Sequence, residues 1–321
     1  MPLDSSTYAN LQLQNAPLTE PVTLEEAEGW ARVTSDGGPV DQDYYALITF
    51  ARQQCETVLR RALYTQAWKL SLRNWPGRDY QNWPQGVSNG YDAYYRYDHI
   101  ELPLPPLQGV ASVTYLDTSA TLGTMLQANT AGGYNVDLNF EPGRIVLPFS
   151  QIWPTTILLP GAPISIKYTG GYQDGTGIGA LTLGGSQAGY QVGDVLNIVQ
   201  SGTLPDGRTV QAFGGLVTVT GIGVGGSIAS YTFTGGAGYS VASNLATAGG
   251  SGMGATANIT ALAPEALSAQ FEGWSAVKQA IKTIIMYCFE NKIPPSEMRR
   301  SSIDAGLEYV IRQFLTPYRI H

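Results

Sequence analysis

One stretch constrains the fold of this 321-residue chain more than any other. Between Gly175 and Leu262 stand 22 glycines and only three charged residues, Asp194, Asp206 and Arg208. Alternating runs such as Leu216-Val217-Thr218-Val219-Thr220 carry the two-residue period of a strand. The stretch is predicted to be a separate all-β module. Within it, GGSQAGYQV from Gly184 is echoed by TGGAGYSV from Thr234. A glycine-containing turn that recurs before β segments is what a two-part β module would show.

The flanks read differently. A helix is predicted to start at Thr23, where T-L-E-E sets Glu26 three residues after a Thr cap. It ends before Ser35-Asp36-Gly37-Gly38. A longer helix is expected from Asp43 to Leu63, with Tyr44, Leu47, Ile48, Ala51, Cys55, Val58, Leu59 and Ala62 at three- and four-residue steps. Glu56 and Arg60 are expected to pair on its wet face. After Pro264 the helical period returns through Phe271, Trp274, Val277, Ile281, Ile284, Ile285 and Cys288, and again from Ile303 to Leu315.

From Trp68 the period is two, and strands are predicted there and at Ile100 to Leu104, Val110 to Leu116, Tyr134 to Leu138, Arg144 to Leu147 and Ile164 to Tyr168. These would make a small antiparallel sandwich or barrel. The segment from Pro76 to His99, with Asn89-Gly90 and Tyr91, Tyr94, Tyr95 and Tyr97, is predicted to be a projecting hairpin whose rings serve a subunit or tail interface. Rings that only pack on their own sheet are the competing reading. The expected fold class is α+β, with N- and C-terminal helices packed on a small antiparallel β domain and an inserted Gly-rich all-β module. The divisions are 1–65, 66–174, 175–262 and 263–321.

Little in the chain is suited to chemistry. Gly221-Ile222-Gly223-Val224-Gly225-Gly226 satisfies GxGxxG, but Ser227 to Phe233 reads as a strand where a dinucleotide site needs a helix N-terminus. The two histidines, His99 and His321, are far apart, and His99 reads as a strand-edge residue. The carboxylate pairs Asp41/Asp43 and Glu25/Glu26 sit at helix starts, where acidic groups favour the macrodipole. A glycosidase carboxylate pair is invisible to a sequence alone. No catalytic, cofactor or metal residue is predicted, and the expectation is that the chain is not an enzyme. A net charge of −7 argues against a grip on nucleic acid. Cys55 and Cys288 lack CxxC spacing and read as buried, reduced thiols, which implies cytoplasmic assembly. The first ten residues lack a secretory pattern, no apolar run reaches the length of a membrane span, and the sequon at Asn258 is read as chance.

In this order the modules resemble the adaptor, or head-to-tail connector, proteins of long-tailed double-stranded DNA phages. The resemblance rests on PVTLEEA from Pro21, RRALYTQAWKL from Arg60 and LPLPPLQGVASVTYLD from Leu102. It continues through YNVD, PGRIVL and ISIKYTGGY to VKQAIK from Val277 and the terminal LTPYRI. It covers about residues 17–174 and 263–321, so the Gly-rich module is read as an insertion where the family has a short linker. The resemblance implies a closed ring, typically of twelve copies, seated under the portal in the virion and assembled in the host cytoplasm. Its partners would be other copies, the portal and the next tail or stopper protein, with DNA passing through unbound. Phe314, Leu315, Thr316, Pro317, Tyr318, Arg319 and Ile320, an aromatic tail with apolar and basic side chains, are expected to dock on the portal. Folding back onto the chain's own helices is the competing expectation. A carbohydrate-binding or fibre-like tail protein is the alternative function, with the Tyr/Trp segment and the Gly-rich module offering faces for sugars.

Overall fold

The computed structural model describes residues 8–32, 39–76, 99–125, 127, 132–149, 151–203, 209–291 and 305–320. The chain is a mixed α+β protein. Among the described residues, five helices come from its two ends: α1 (Leu24–Ala31), α2 (Pro39–Leu59), α3 (Leu267–Gln270), α4 (Trp274–Glu290) and α5 (Ala305–Leu315). The capping box at α1 forms in both directions: Thr23 Oγ1 accepts from the Glu26 N–H, and Glu26 accepts from the Thr23 N–H. α2, α4 and α5 share one core in which Ile48, Ala51, Cys55 and Leu59 meet Val277, Ile281, Ile284 and Ile311. Each Leu, Ile or Val side chain among them contributes ~1.5–3 kcal/mol by leaving water. Cys55 and Cys288 are both buried here and unpaired.

α2 starts and stops four residues earlier than its periodicity implies. Arg60 turns into the left-handed region at φ 56°. The chain is then captured by two contacts: the Ala62 N–H donates to the distant Pro105 carbonyl, and the Leu63 N–H to Glu56 Oε1 in the last turns of α2. The expected Glu56–Arg60 pair is also overturned. Glu56 is buried and bonded to Arg52, one turn earlier, at 2.7 Å.

The β domain has two antiparallel sheets over one core. The larger contains β1 (Tyr8–Asn15), β2 (Gln66–Leu72), β4 (Leu107–Leu116), β5 (Leu122–Met125) and β8 (Ile164–Gly170), in the order β1-β2-β8-β4-β5. The smaller runs β3 (His99–Glu101), β7 (Arg144–Val146), β6 (Asn135–Asp137). Leu70, Leu72, Val113, Ile164 and Ile166 from the first face Ile100 and Ile145 from the second. Trp75 closes the core by stacking on Trp153, with ring centroids 5.1 Å apart. β1 and β5 are not among the strands predicted from the sequence; both are edge strands.

The Gly-rich region forms a six-stranded, nearly closed barrel-like sheet ordered β14-β13-β10-β15-β16-β9. Its strands are β9 (Ile178–Gly184), β10 (Val195–Val199), β13 (Leu216–Ile222), β14 (Ile228–Phe233), β15 (Ala242–Ala248) and β16 (Thr256–Leu262), with a short ribbon of β11 (Ser201–Thr203) and β12 (Thr209–Gln211) beside them. The outer strands turn towards each other, and Tyr231 Oη on β14 donates to the Leu181 carbonyl on β9 at 3.0 Å. GxGxxG spans the end of β13 and the turn into β14, so strands flank it on both sides.

The barrel is built twice over. Val217↔Phe233, Thr218↔Thr232, Val219↔Tyr231, Gly221↔Ser230 and Ile222↔Ile228 in one hairpin correspond to Ala257↔Leu183, Asn258↔Thr182, Ile259↔Leu181, Ala261↔Ala180 and Leu262↔Ile178 in the other, with irregularities at the same places. The central pair obeys the same two-fold relation: Asn197↔Ala248 and Val199↔Ala246 exchange about Ile198↔Thr247. The echoed Ala-Gly-Tyr turns occupy equivalent positions. Ala188 exchanges two backbone hydrogen bonds with Met253 and Ala237 exchanges two with Phe213. Tyr190 Oη then accepts from the Ala255 N–H, and Tyr239 Oη from the Gly215 N–H. The Gly223 N–H donates to the Ser227 carbonyl where, in the other half, the Ala263 N–H donates to Gly177 and the rest of the chain departs.

Candidate interface site

Four parts of the molecule converge on Arg61, just past the end of α2. Its guanidinium meets Glu141 at 2.5 Å, in the turn before β7, and donates to Tyr172 Oη at 2.6 Å, in the segment leading to the barrel. It also lies 5.2 Å from the ring centroid of Phe271. Phe271 in turn meets the ring of Tyr318 edge-on at 5.9 Å. A planar fork between a carboxylate and two rings uses both the charge and the flat face of arginine, which lysine cannot do. Burial raises the Tyr172 hydroxyl above its ordinary value of 10.0 although Arg61 pulls the other way, so it stays protonated.

This junction decides how the C-terminal tail lies. Leu315 is fully buried among the helices, Tyr318 packs on Phe271, and the Ile320 N–H donates to the Leu59 carbonyl. Of the residues expected to dock on a portal, Phe314, Thr316 and Pro317 are exposed, while Tyr318, Arg319 and Ile320 are half-buried. The exposed side of α5 also carries Tyr309 and Val310. Tyr91, Tyr94, Tyr95 and Tyr97 lie outside the described residues.

Beneath β1 a half-open cleft of about 300 Å³ is lined by Leu13, Arg52, Glu56, Gln66 and Trp68, among others. Arg52 bridges Glu20 at 2.8 Å and Glu56 at 2.7 Å, and Gln66 Nε2 donates to Glu56 at 2.6 Å. Burial pushes the Glu56 carboxyl up against the pull of Arg52. Both carboxylates are engaged within the protein, so the arrangement reads as a structural tie. Burial drives the Cys55 thiol up and holds that of Cys288 at about 11, away from nucleophilic use. Among the described residues no cluster of three His, Cys, Asp or Glu side chains is placed to hold a metal, and no helix is long and apolar enough to cross a membrane. His99 sits on the edge strand β3, its Nε2 3.8 Å from Glu101.

Sequence reasoning did not single out Arg61 and Glu141. Their 80-position separation leaves no local signal, and only the meeting of α2 with the β domain brings them together.

No family model and no curated protein matches the chain. Among solved structures it is similar to a chain in the neck of an empty gene transfer agent (GTA) particle computed with C6 symmetry. That likeness has 17% identity and a TM-score of 0.38, covering 51% of this chain and 72% of that chain. It is also similar to a chain in the virion of the native particle, at 18% identity and TM-score 0.34, over 51% and 72% of the two chains. A third likeness is to the native neck computed with C12 symmetry, at 17% identity and TM-score 0.31, over 50% and 70%.

Proposed function

We propose that this chain is a structural ring subunit of a tailed phage or phage-like particle, an adaptor that joins the portal to the tail, and not an enzyme. The observation that supports this most is the packing of helices from opposite ends of the chain into one bundle on a small β domain. That is the helix pair, β domain, helix order implied by the resemblance, with the barrel inserted between β8 and α3. The bundle, the β domain and the tail are tied at Arg61, as a part that transmits force requires. In this reading DNA passes through the ring unheld, the net charge of −7 opposing retention, and the subunit assembles in the host cytoplasm.

The portal contact is assigned to the tail, Phe314 to Ile320. Buried Leu315 and half-buried Tyr318 set its position, and exposed Phe314, Thr316 and Pro317, with Tyr309 and Val310, make the contact. The next tail or stopper protein would occupy the opposite side of the ring. The alternative of a glycan-binding module gains nothing from the barrel, where Phe233 is the one large aromatic exposed among the described residues. Electron microscopy of the purified protein, with and without the portal of the same particle, tests the reading. A ring that binds portal, and loses it when Phe314 is replaced by Glu, is expected. Monomers that ignore the portal would overturn it.

A further inference from the structure

Strand edges invite pairing, and proteins usually shield them with charge, shortness, proline or closure. Most edges here are shielded. The barrel's outer strands turn towards each other through Tyr231 and Leu181. The edges of the small sheet, β3 and β6, are three residues long and carry Glu101 and Asp137.

The large sheet is the exception at both ends. Its outer strands β1 (YANLQLQN) and β5 (LGTM) contain no charge and no proline, and no described strand pairs with their outer sides. β1 is irregular at both ends, between Tyr8 and Asn10 and between Leu13 and Asn15, which leaves four regular residues, Asn10 to Leu13. β5 also has four, Leu122 to Met125, in unbroken register with β4. The sheet is antiparallel throughout, so β1 and β5, four steps apart, run in the same direction.

The side chains match as well. Leu11 and Leu13 share the core face with Leu70 and Trp68, and Leu13 is still 44% exposed there. Met125 reaches the same core from the other edge. Gln12 and Thr124 stand exposed on the opposite face.

We infer that β1 of one copy pairs in parallel with β5 of the next, extending the large sheet from subunit to subunit. The occupant is a second copy because each chain carries both complementary halves, equal in regular length, alike in direction and free of the charge that would repel in a net-acidic protein. Such a head-to-tail contact closes into a ring when its rotation permits. The inference rests on the ring reading.

The test uses the full chain. Gln12→Lys with Thr124→Lys sets like charges across the joint, while Gln12→Lys with Thr124→Glu sets opposite ones. With helical circular dichroism unchanged, sedimentation is expected to show loss of the assembled species in the first variant and its return in the second. A Gln12→Cys/Thr124→Cys chain should give a ladder of oxidised oligomers, since the native cysteines are buried. Rings that persist in the double-lysine variant, or rings that form without a ladder, would overturn the edge contact and leave the ring reading standing. A wild-type chain that stays monomeric would overturn both.

Discussion

The helical core and the barrel bury polar groups by opposite means. In the core, charges are held by charges from remote positions: Glu20 reaches buried Arg52, Glu141 reaches buried Arg61, and half-buried Glu26 on α1 reaches Lys278 on α4. In the barrel the one described charge, Asp194, is buried and satisfied by the N–H groups of Gln191 and Ser251 and the Ser251 hydroxyl. Ion pairs of the first kind exist only when distant parts of the chain have met. Glycine turns and neutral donors of the second kind form within the barrel's own span. The ties of the core therefore span the chain, whereas the bonds that satisfy Asp194 are local to the barrel.

The most severe way to break this comparison is to remove the barrel. Ile178 pairs with Leu262, so its ends are neighbours. Replacing Gly175 to Leu262 by a short Gly/Ser linker is expected to leave helical circular dichroism and one cooperative unfolding transition in the remainder. Loss of the helical signal would show that the two regions depend on each other.

Next in size is Glu56→Ala, which takes one of two carboxylates from buried Arg52 and leaves the Leu63 N–H and the Gln66 amide unmet. Breaking a buried pair from one side costs about 3–5 kcal/mol, and denaturant titration of the helical signal should show it. The barrel counterpart is smaller. Tyr239→Phe removes a hydroxyl that accepts from Gly215 and donates to Ile198, leaving both backbone groups unmet, for roughly 1–3 kcal/mol. Tyr190→Phe removes one longer bond, at 3.3 Å, and should cost less. Equal losses would mean that the two halves are equivalent in energy as well as in register.

The smallest effect concerns pH. Burial alone would raise the Glu26 carboxyl, but the Lys278 ammonium and the Thr23 N–H outweigh it and hold it below its ordinary value of 4.5. A carboxylate lowered in the fold adds stability that is complete above the unfolded value and is lost as pH falls through the folded one. The melting temperature of wild type should exceed that of Glu26→Gln at about pH 6, and the gap should close towards about pH 3. A gap that widens on acidification would remove Glu26 from the core's ion pairs.

Local chemistry is what the sequence made legible. Thr23 and Glu26 declare a cap because both partners lie within one turn, and the stripe from Val277 to Cys288 names the face of α4 that is buried. The end of α2 was not legible, because Arg60-Arg61 contains no breaker and Pro105 and Glu56 impose the stop. β1 was missed although Leu11-Gln12-Leu13-Gln14 alternates, because the alternation is only two repeats long and holds no β-branched residue. The barrel's doubling was nearly invisible. Its register is kept by backbone pairs and small residues, and the shared Ala-Gly-Tyr turns are almost all that the two halves still spell alike. The interface residues were the least legible, since Arg61 draws on four segments at once.

The two-fold relation in the barrel has a topological consequence. Where one half closes with the turn Gly223 to Ser227, the other opens into all the rest of the molecule. The barrel is thus a coupling with two equivalent ports, one occupied and one capped, with Val224 at the capped port 99% exposed. By this geometry the helices and β domain are as much an insertion into the barrel as the barrel is into them. A second domain spliced at Val224 would meet the same strand ends that already carry the first. It would add little beyond loop-closure entropy, which grows only slowly with length, and it would point to the opposite side.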